Sequence, residues 1–443
     1  MLDTLKNKFN ANTITCLAGA FILFCSFGVR QTLGVFLIPV TSETGWDRST
    51  FSIAAGLLQL FWGFSQPFLV YLGERKFGFG KTIFCCCLIY AVGCFILYAS
   101  DFSSGLFIFA MGIVIGTGCG GNSFPIVLAA VGRRYPQGSR QQRVAFGMVS
   151  SLGSLGQCCF LPIARAMIEA IGWRYSFITF GAIVVLAAPC AYFLKTVPPT
   201  PPLIDQAEKV DQDMTTVLDM NSESTKEEKE KHVEEEKKQV EEKGILAVLK
   251  EAFSSSTFIM ICLGFTVCGF HVSFLATHLP AYLQDQGIDS SLAAWTISIM
   301  GLGSMIGSMG VGFLANYITP RNALMGIYLL RTILIIIFVF IPISITTVIV
   351  FSCLFGFLWL TTVPFTTMFI GDVFGHTYLG TLSSITFVGH QIGAFIGAYV
   401  GGVVYDQLHS YDRMWYGSLA ASILAVIANF FARPNFVNKA TKK

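Results

Sequence analysis

Short polar connections cut this chain into apolar runs, each about as long as the hydrocarbon core of a bilayer is thick. That pattern leaves few folds open. A helix needs about 20 mostly apolar residues to cross a bilayer. Runs of this kind occupy residues 13–39, 50–72, 82–99, 104–131, 144–168, 175–194, 256–282, 291–315, 322–342, 345–371, 378–405 and 412–432. Lipid offers no partner to a bare N–H or C=O, so a spanning segment must close its backbone hydrogen bonds on itself as a helix. The expectation is an all-α membrane protein with twelve transmembrane helices. Only 12% of the residues are charged and the mean hydropathy is +0.64, against about 25% charged residues in soluble domains. The first apolar run is too long for the core of a cleavable leader and lacks a small-residue cleavage motif, so it reads as span one.

Basic residues fix the expected orientation, because loops on the cytoplasmic side collect Lys and Arg. With the N-terminus inside, cytoplasmic segments hold 23 of the 29 Lys and Arg residues. The outer loops hold Arg48, Arg174 and Arg413, and the spans hold Arg30, Arg165 and Arg331. The expected protein is a multi-pass component of the cell membrane with both termini cytoplasmic and the lipid bilayer as its first partner.

Several function classes drop out. A net charge of +3, with no basic stripe interleaved with aromatics, gives nucleic acid no footprint. All 13 cysteines lie in apolar runs and lack zinc-site spacing, so they read as packing residues, with no metal and no cofactor expected. No nucleophile constellation, phosphate loop or metal cluster suggests an enzyme.

The runs fall into two sets of six. Residues 196–249 separate them and hold 14 of the 26 acids, including the run "KEEKEKHVEEEKKQVEEK". Such a composition cannot form a core and reads as a disordered linker. The expected organisation is an N-terminal bundle (1–195), the linker (196–249), a C-terminal bundle (250–433) and a tail (434–443). The bundles read as a repeat. Shifted by 241 residues, "HVSFLATHLP" (271–280) falls on "RQTLGVFLIP" (30–39), pairing His271 with Arg30 and Pro280 with Pro39. Shifted by 233, "GTLSS" (380–384) falls on "GMVSS" (147–151), pairing His390 with Gln157. Span seven thus matches span one, and span eleven matches span five.

Six spans, a linker and six matching spans resemble the major facilitator superfamily. The segment "YLGERKFGFGK" (71–81) is similar to its marker between spans two and three, with Glu74 and Arg75 in place of Asp-Arg. The equivalent loop, "GFLANYITPR" (312–321), carries Asn316 where an acid is usual, and ends on Arg321. "GWDRSTFSIA" (45–54), "THLPAYLQDQG" (277–287) and "GHQIGAFIGAYVGGVVYD" (389–406) resemble the monocarboxylate-transporter-like branch. The resemblance implies two pseudo-symmetric six-helix bundles with spans one, four, seven and ten lining a central cavity. It also implies gate contacts among Glu74, Arg75, Asn316 and Arg321. The Asp-Arg pair that this branch often carries in span eight is missing, which excludes proton coupling by that pair.

Outside the linker every carboxylate sits in a loop or at a span end, while Arg30, Arg331, His271 and His390 lie deep. Relatives that carry cations rely on a buried acid, and none is present here. A positive core suits an anion, because an arginine fork matches a carboxylate bidentately. Arg30 is expected to face a water-filled cavity, with Gln31, Asn122, Gln157, Thr361 and Thr362 as hydrogen-bonding partners for substrate. The alternative for these polar groups is interhelical adhesion, and for Arg30 a bond to carbonyls at a helix break. His271 and His390 are the proton-coupling candidates, since histidine titrates near neutral pH. His278, near the outer end of span seven, reads as a gating residue. Arg331 reads as structural, and Arg165 as interfacial.

The reading is a monomeric secondary transporter of a small organic anion, a monocarboxylate first, coupled to protons. A carrier of a larger carboxylate metabolite or siderophore, or a sensor without transport, are the alternatives. If the linker has no part in the fold, replacing residues 205–240 by a shorter Gly/Ser segment leaves membrane insertion and substrate uptake intact. Normal insertion with lost uptake in vesicles would give the linker a direct role.

Overall fold

The computed structural model describes residues 2–100, 102–135, 140–195, 245–315, 317–374 and 379–433. The linker up to residue 244 and the tail from 434 lie outside them. Eleven described helical stretches are long and apolar enough to cross a bilayer. Span one is Ala11–Thr44, span two Arg48–Glu74, span three Phe79–Ala99 and span four Ser104–Gly132. Val144–Phe193 has 50 residues, about 75 Å if straight and more than twice a bilayer core. The chain turns inside it at Gly172, whose φ of 78° suits only glycine. This stretch is therefore spans five and six. Span seven is Ser256–Asp285, eight Ser290–Val311, nine Pro320–Phe340, ten Ile345–Phe374, eleven Leu382–Leu408 and twelve Asp412–Phe431. The twelve expected crossings are present. A further helix, Ile245–Ser254, leads into span seven; it begins in the last residues assigned to the linker and continues into the C-terminal bundle.

Two spans are broken for local reasons. In span four a π-helical turn, Phe109–Ile115, precedes the glycine run, and the helix stops at Asn122 and restarts at Phe124 with Pro125 in its first turn. Span ten stops at Phe357 and restarts at Thr362. Pro364 lies just past this break and cannot donate to the ladder. Broken backbone is tolerated at membrane depth only where protein re-satisfies it.

The repeat recurs in the packing. Span one crosses span five at Gly156, where an added Cβ would stand 2.2 Å from the Phe24 carbonyl oxygen. Span seven crosses span eleven at Gly393, where it would stand 1.9 Å from the Thr266 oxygen. The paired residues Gln157 and His390 sit beside these two crossings. The halves meet along spans two and eleven, along spans five and eight, and where the second part of span one (Leu33–Thr44) lies on span seven. Large apolar side chains such as Phe64, Phe68, Phe95 and Leu186 remain on the outside, as lipid-facing surface requires.

With twelve crossings, both described ends lie on one face, here the terminal face. The opposite face carries the connection between spans one and two. Because carbonyl oxygen cannot move out of the way like a side-chain tip, Gly393→Val is expected to cost about 1–3 kcal/mol by overpacking. It should lower the melting temperature of the purified protein in detergent.

Candidate functional site

Arg30 is 7% exposed and lies at the seam. Nη1 donates to Gln59 Oε1 at 3.2 Å, Nη2 donates to Gln31 Oε1 at 2.5 Å, and the guanidinium lies 4.4 Å from the Trp62 ring centre. Among the described residues it has no carboxylate partner. Its amide partners lead directly into the other half. Gln59 Nε2 reaches Ser273 Oγ of span seven at 3.4 Å. Gln31 Nε2 donates to Gln157 Oε1 at 2.8 Å, and Gln157 Nε2 donates to the Ile297 carbonyl of span eight at 3.2 Å. One cation thus heads two polar chains that cross between the halves.

One described cavity at Arg30, lined by Phe27, Arg30, Trp62, Asn122 and Ser123 among others, measures about 10 Å³, the lower limit for one water molecule. Unspent hydrogen-bonding capacity surrounds it. Arg30 Nε, Trp62 Nε1, Gln391 Nε2 and His390 Nε2 are buried without partners. They lie along a ring path across the seam: Trp62 packs edge-on to Phe387 at 5.4 Å, and Phe387 stacks on His390 at 5.5 Å.

The other expected contacts separate. Gln31 and Gln157 join Arg30's network. The Asn122 amide faces span three instead. In the orientation that satisfies both its ends, its nitrogen donates to the Ile83 carbonyl at 3.1 Å and its oxygen accepts from the Cys87 amide at 3.2 Å. Thr361 returns its hydroxyl to the Phe357 carbonyl at 2.6 Å, and the Thr362 hydroxyl meets the Cys268 sulfur at 3.0 Å. Asn122 and Thr362 thus reach a neighbouring span, whereas the Thr361 bond closes within span ten.

His271, the repeat mate of Arg30, is turned toward span twelve. Its Nε2 lies 2.9 Å from the Ser418 carbonyl of span twelve, and it is buried. A polar side chain on an apolar helix turns to whichever neighbour offers an acceptor, and here that neighbour is span twelve. His390 stays at the seam, with Nδ1 3.1 Å from Gln391 Oε1.

Arg331 is 0% exposed. Nη2 donates to the Leu358 and Trp359 carbonyls at 2.6 and 2.7 Å, and Nη1 reaches Cys268 Sγ at 3.5 Å. The break in span ten exposes those two carbonyls, and Arg331 re-satisfies them.

At the terminal face Glu74 pairs with Arg133, and Arg321 donates to the Asn429 and Phe430 carbonyls. These contacts stay within one half, so the described part of the expected gate braces each bundle rather than joining the two. Asn316 and the Arg75 side chain lie outside what the structure describes.

The opposite face carries a cluster that the sequence reading missed. Arg48 Nη1 and Nη2 grip the two Asp285 oxygens at 2.7 and 2.8 Å, and the guanidinium lies 3.6 Å from the Tyr405 ring centre. Asp406 accepts the Arg48 and Ser49 backbone N–H groups at 3.0 and 2.8 Å, capping span two from the other half. Asp47, at the N-cap position, makes no side-chain cap bond. Arg165, read as interfacial, pairs with Glu169 and also reaches Ser290 across the seam at 2.6 Å. Acids near span ends on the face away from the basic loops were the available signal.

Among the described residues no cluster of three His, Cys, Asp or Glu could hold a metal, and all 13 cysteines are free. Two matching helical halves, joined through a polar centre at membrane depth, define a membrane transporter rather than an enzyme. The chain belongs to the Major Facilitator Superfamily, whose family profile matches residues 19–398. It is 23% identical over 396 residues to the uncharacterized MFS-type transporter YcxA of Bacillus subtilis, covering 86% of this chain and 85% of that one. It is 21% identical to human monocarboxylate transporter 12 over 76% of this chain, and the match spans 65% of that relative's length. A crystal structure of the POT family transporter PepTSo superposes with a TM-score of 0.70 at 15% identity, covering 96% of this chain and 97% of that one, which is a likeness of fold.

The two deep arginines should respond differently to substitution. Arg331→Leu strands two buried carbonyls and should cost about 3–5 kcal/mol, visible as poor folding or a large drop in melting temperature. Arg30→Gln keeps amide partners for Gln31 and Gln59 and should melt near wild type. Equal destabilisation by both would make Arg30 a structural clamp too.

Proposed function

We propose that this transporter moves a small organic anion, a monocarboxylate first, by alternating access between its two halves with proton symport. It acts as a monomer in the cell membrane with both termini in the cytoplasm. The 23-to-3 distribution of Lys and Arg supports that orientation, which makes the terminal face cytoplasmic and the Arg48 face external. The external face is then the one held shut in this state.

The observation that carries the anion reading is Arg30. A guanidinium at membrane depth costs roughly 2.5–3.5 kcal/mol by insertion scales, and among the described residues only two amides and rings compensate. A carboxylate would supply the missing charge and draw Arg30 off Gln31 and Gln59, from which the two polar chains run to the other half. Ligand binding and seam opening would then be one event. The likeness to human monocarboxylate transporter 12 supports the same substrate class. His390, on the ring path from Arg30, is the better of the two proton candidates inside the core, because His271 is turned toward span twelve. A larger carboxylate is the second reading, favoured by the unspent donors on Trp62 and Gln391, which extend the polar surface beyond the arginine.

A thermal-shift screen of the purified protein against carboxylates tests the proposal. A ligand at about 100 times its Kd adds roughly 2.7 kcal/mol of apparent stability. That shift should appear in wild type, weaken in Arg30→Lys, which loses the fork, and vanish in Arg30→Gln. An undiminished shift in Arg30→Gln would remove the main support for an anion.

A further inference from the structure

The latch at Arg48 continues inward as a chain of hydrogen bonds whose direction is fixed by its far end. His278 Nε2 lies 2.7 Å from the Ala398 carbonyl oxygen. A carbonyl only accepts, so Nε2 carries the proton. Nδ1 is then an acceptor, and the Tyr411 hydroxyl, 3.0 Å away, donates to it. The Tyr411 oxygen in turn accepts from Arg48 Nη1 at 3.1 Å. Every donor from Arg48 through Tyr411 and His278 to Ala398 points the same way. His278 is fully buried and both ring nitrogens are in use.

We propose that His278 is the binding site of the coupling proton on the latch face, and that protonation at Nδ1 releases the latch. A second proton makes the ring a donor at both nitrogens. The Tyr411 hydroxyl then loses its acceptor and must turn, and an imidazolium stands one hydroxyl away from the Arg48 guanidinium. The closed latch has a place for the neutral ring only. Opening moves Arg48 away with its own half and lets water reach His278, so the open face takes up the proton. The state that binds more protons gains population as pH falls, so acid on this side opens it. The proton thereby enters while the site is exposed to that side, as symport requires.

Charged and titratable groups surround the ring and the Tyr411–Arg48 chain that leads from it. Span two brings Arg48, and span eleven brings Tyr405 and Asp406. The start of span twelve brings Tyr411 and Asp412, and span seven itself brings Tyr282 and Asp285. Asp285 and Asp406 are the rival proton sites, since protonating either also loosens Arg48. The proposal rests on the alternating-access and symport reading but not on the anion assignment, and its test needs no substrate.

The amides of Arg48 and Ser49 report the latch, because Asp406 of the other half accepts both. Hydrogen exchange of the peptide covering residues 46–52 is followed by mass spectrometry in the purified full-length protein without added ligand. Rates are corrected for intrinsic chemistry at about pH 7.5 and about pH 5.5, either side of the ordinary histidine range. Wild type should lose about tenfold in protection at the lower pH. His278→Gln, whose amide can accept from Tyr411 and donate to Ala398, should stay protected at both. Asp285→Asn and Asp406→Asn should be less protected at both pH values yet keep the acid response. If His278→Gln does not fold, Tyr411→Phe serves instead, since without the hydroxyl the proton has nothing to displace and the response should be blunted. Protection that ignores pH in wild type, or an acid response that survives His278→Gln, overturns the proposal. Loss of the response in either aspartate variant instead moves the proton to that carboxylate and overturns it equally.

Discussion

Lipid cannot satisfy a polar group, and most of this structure follows from that. Backbone polarity is closed within helices, and side-chain polarity is turned inward to the seam or to a helix break. The interruption in span ten is stable because Arg331 takes up the carbonyls it exposes. The one in span four has Ser26 and Ser123 bonding the freed backbone, with Ser26 Oγ 3.1 Å from the Asn122 carbonyl and Ser123 Oγ 2.9 Å from that of Gly120. Arg30 is the group for which this solution is incomplete. Among the described residues it has amides and an indole face but no charge of opposite sign, and it lies where the halves touch.

The seam is held unevenly. On the Arg48 face, a bidentate ion pair, a cation over an aromatic ring and a helix cap all cross between the halves. Each is worth on the order of 1 kcal/mol, weak enough to break and re-form under the alternating access proposed above. On the terminal face, the described charged contacts of Glu74 and Arg321 close within their own halves. At the centre, the glutamines around Arg30 bridge to Ser273 and Ile297 through neutral hydrogen bonds. A state shut on one face and loosely joined through its middle is what two rigid bundles rocking about a central site would populate. Close glycine crossings within each half, at Gly156 and Gly393, make the bundles stiff, so the softer joints lie between them.

The twelve crossings were legible in the sequence because hydropathy reports directly on the lipid constraint, which acts on each segment separately. The repeat was legible as identical residues at a fixed offset, Pro39 with Pro280 and Gly147 with Gly380. Arg30, Gln31 and Gln157 were recognisable as deep polar residues, and they do meet. The direction in which each of the others points was not recognisable. His271 and Arg30 occupy equivalent positions on equivalent helices, yet one turns to the Ser418 carbonyl and the other to Gln59. Sequence offset fixes depth in the membrane, but the azimuth of a side chain depends on which neighbour offers a partner. The latch was invisible for the same reason. Arg48, Asp285 and the pair Asp406 and Tyr411 are far apart in the chain and ordinary as residues at span ends, and only the closure of span two against spans seven and eleven makes them one device. The sequence by itself determined the number of spans, their depth and their pairing by repeat, because those follow from transfer into lipid, one helix at a time. Which polar groups pair and which face is shut were decided by tertiary packing, because each depends on contacts between helices that hydropathy does not encode.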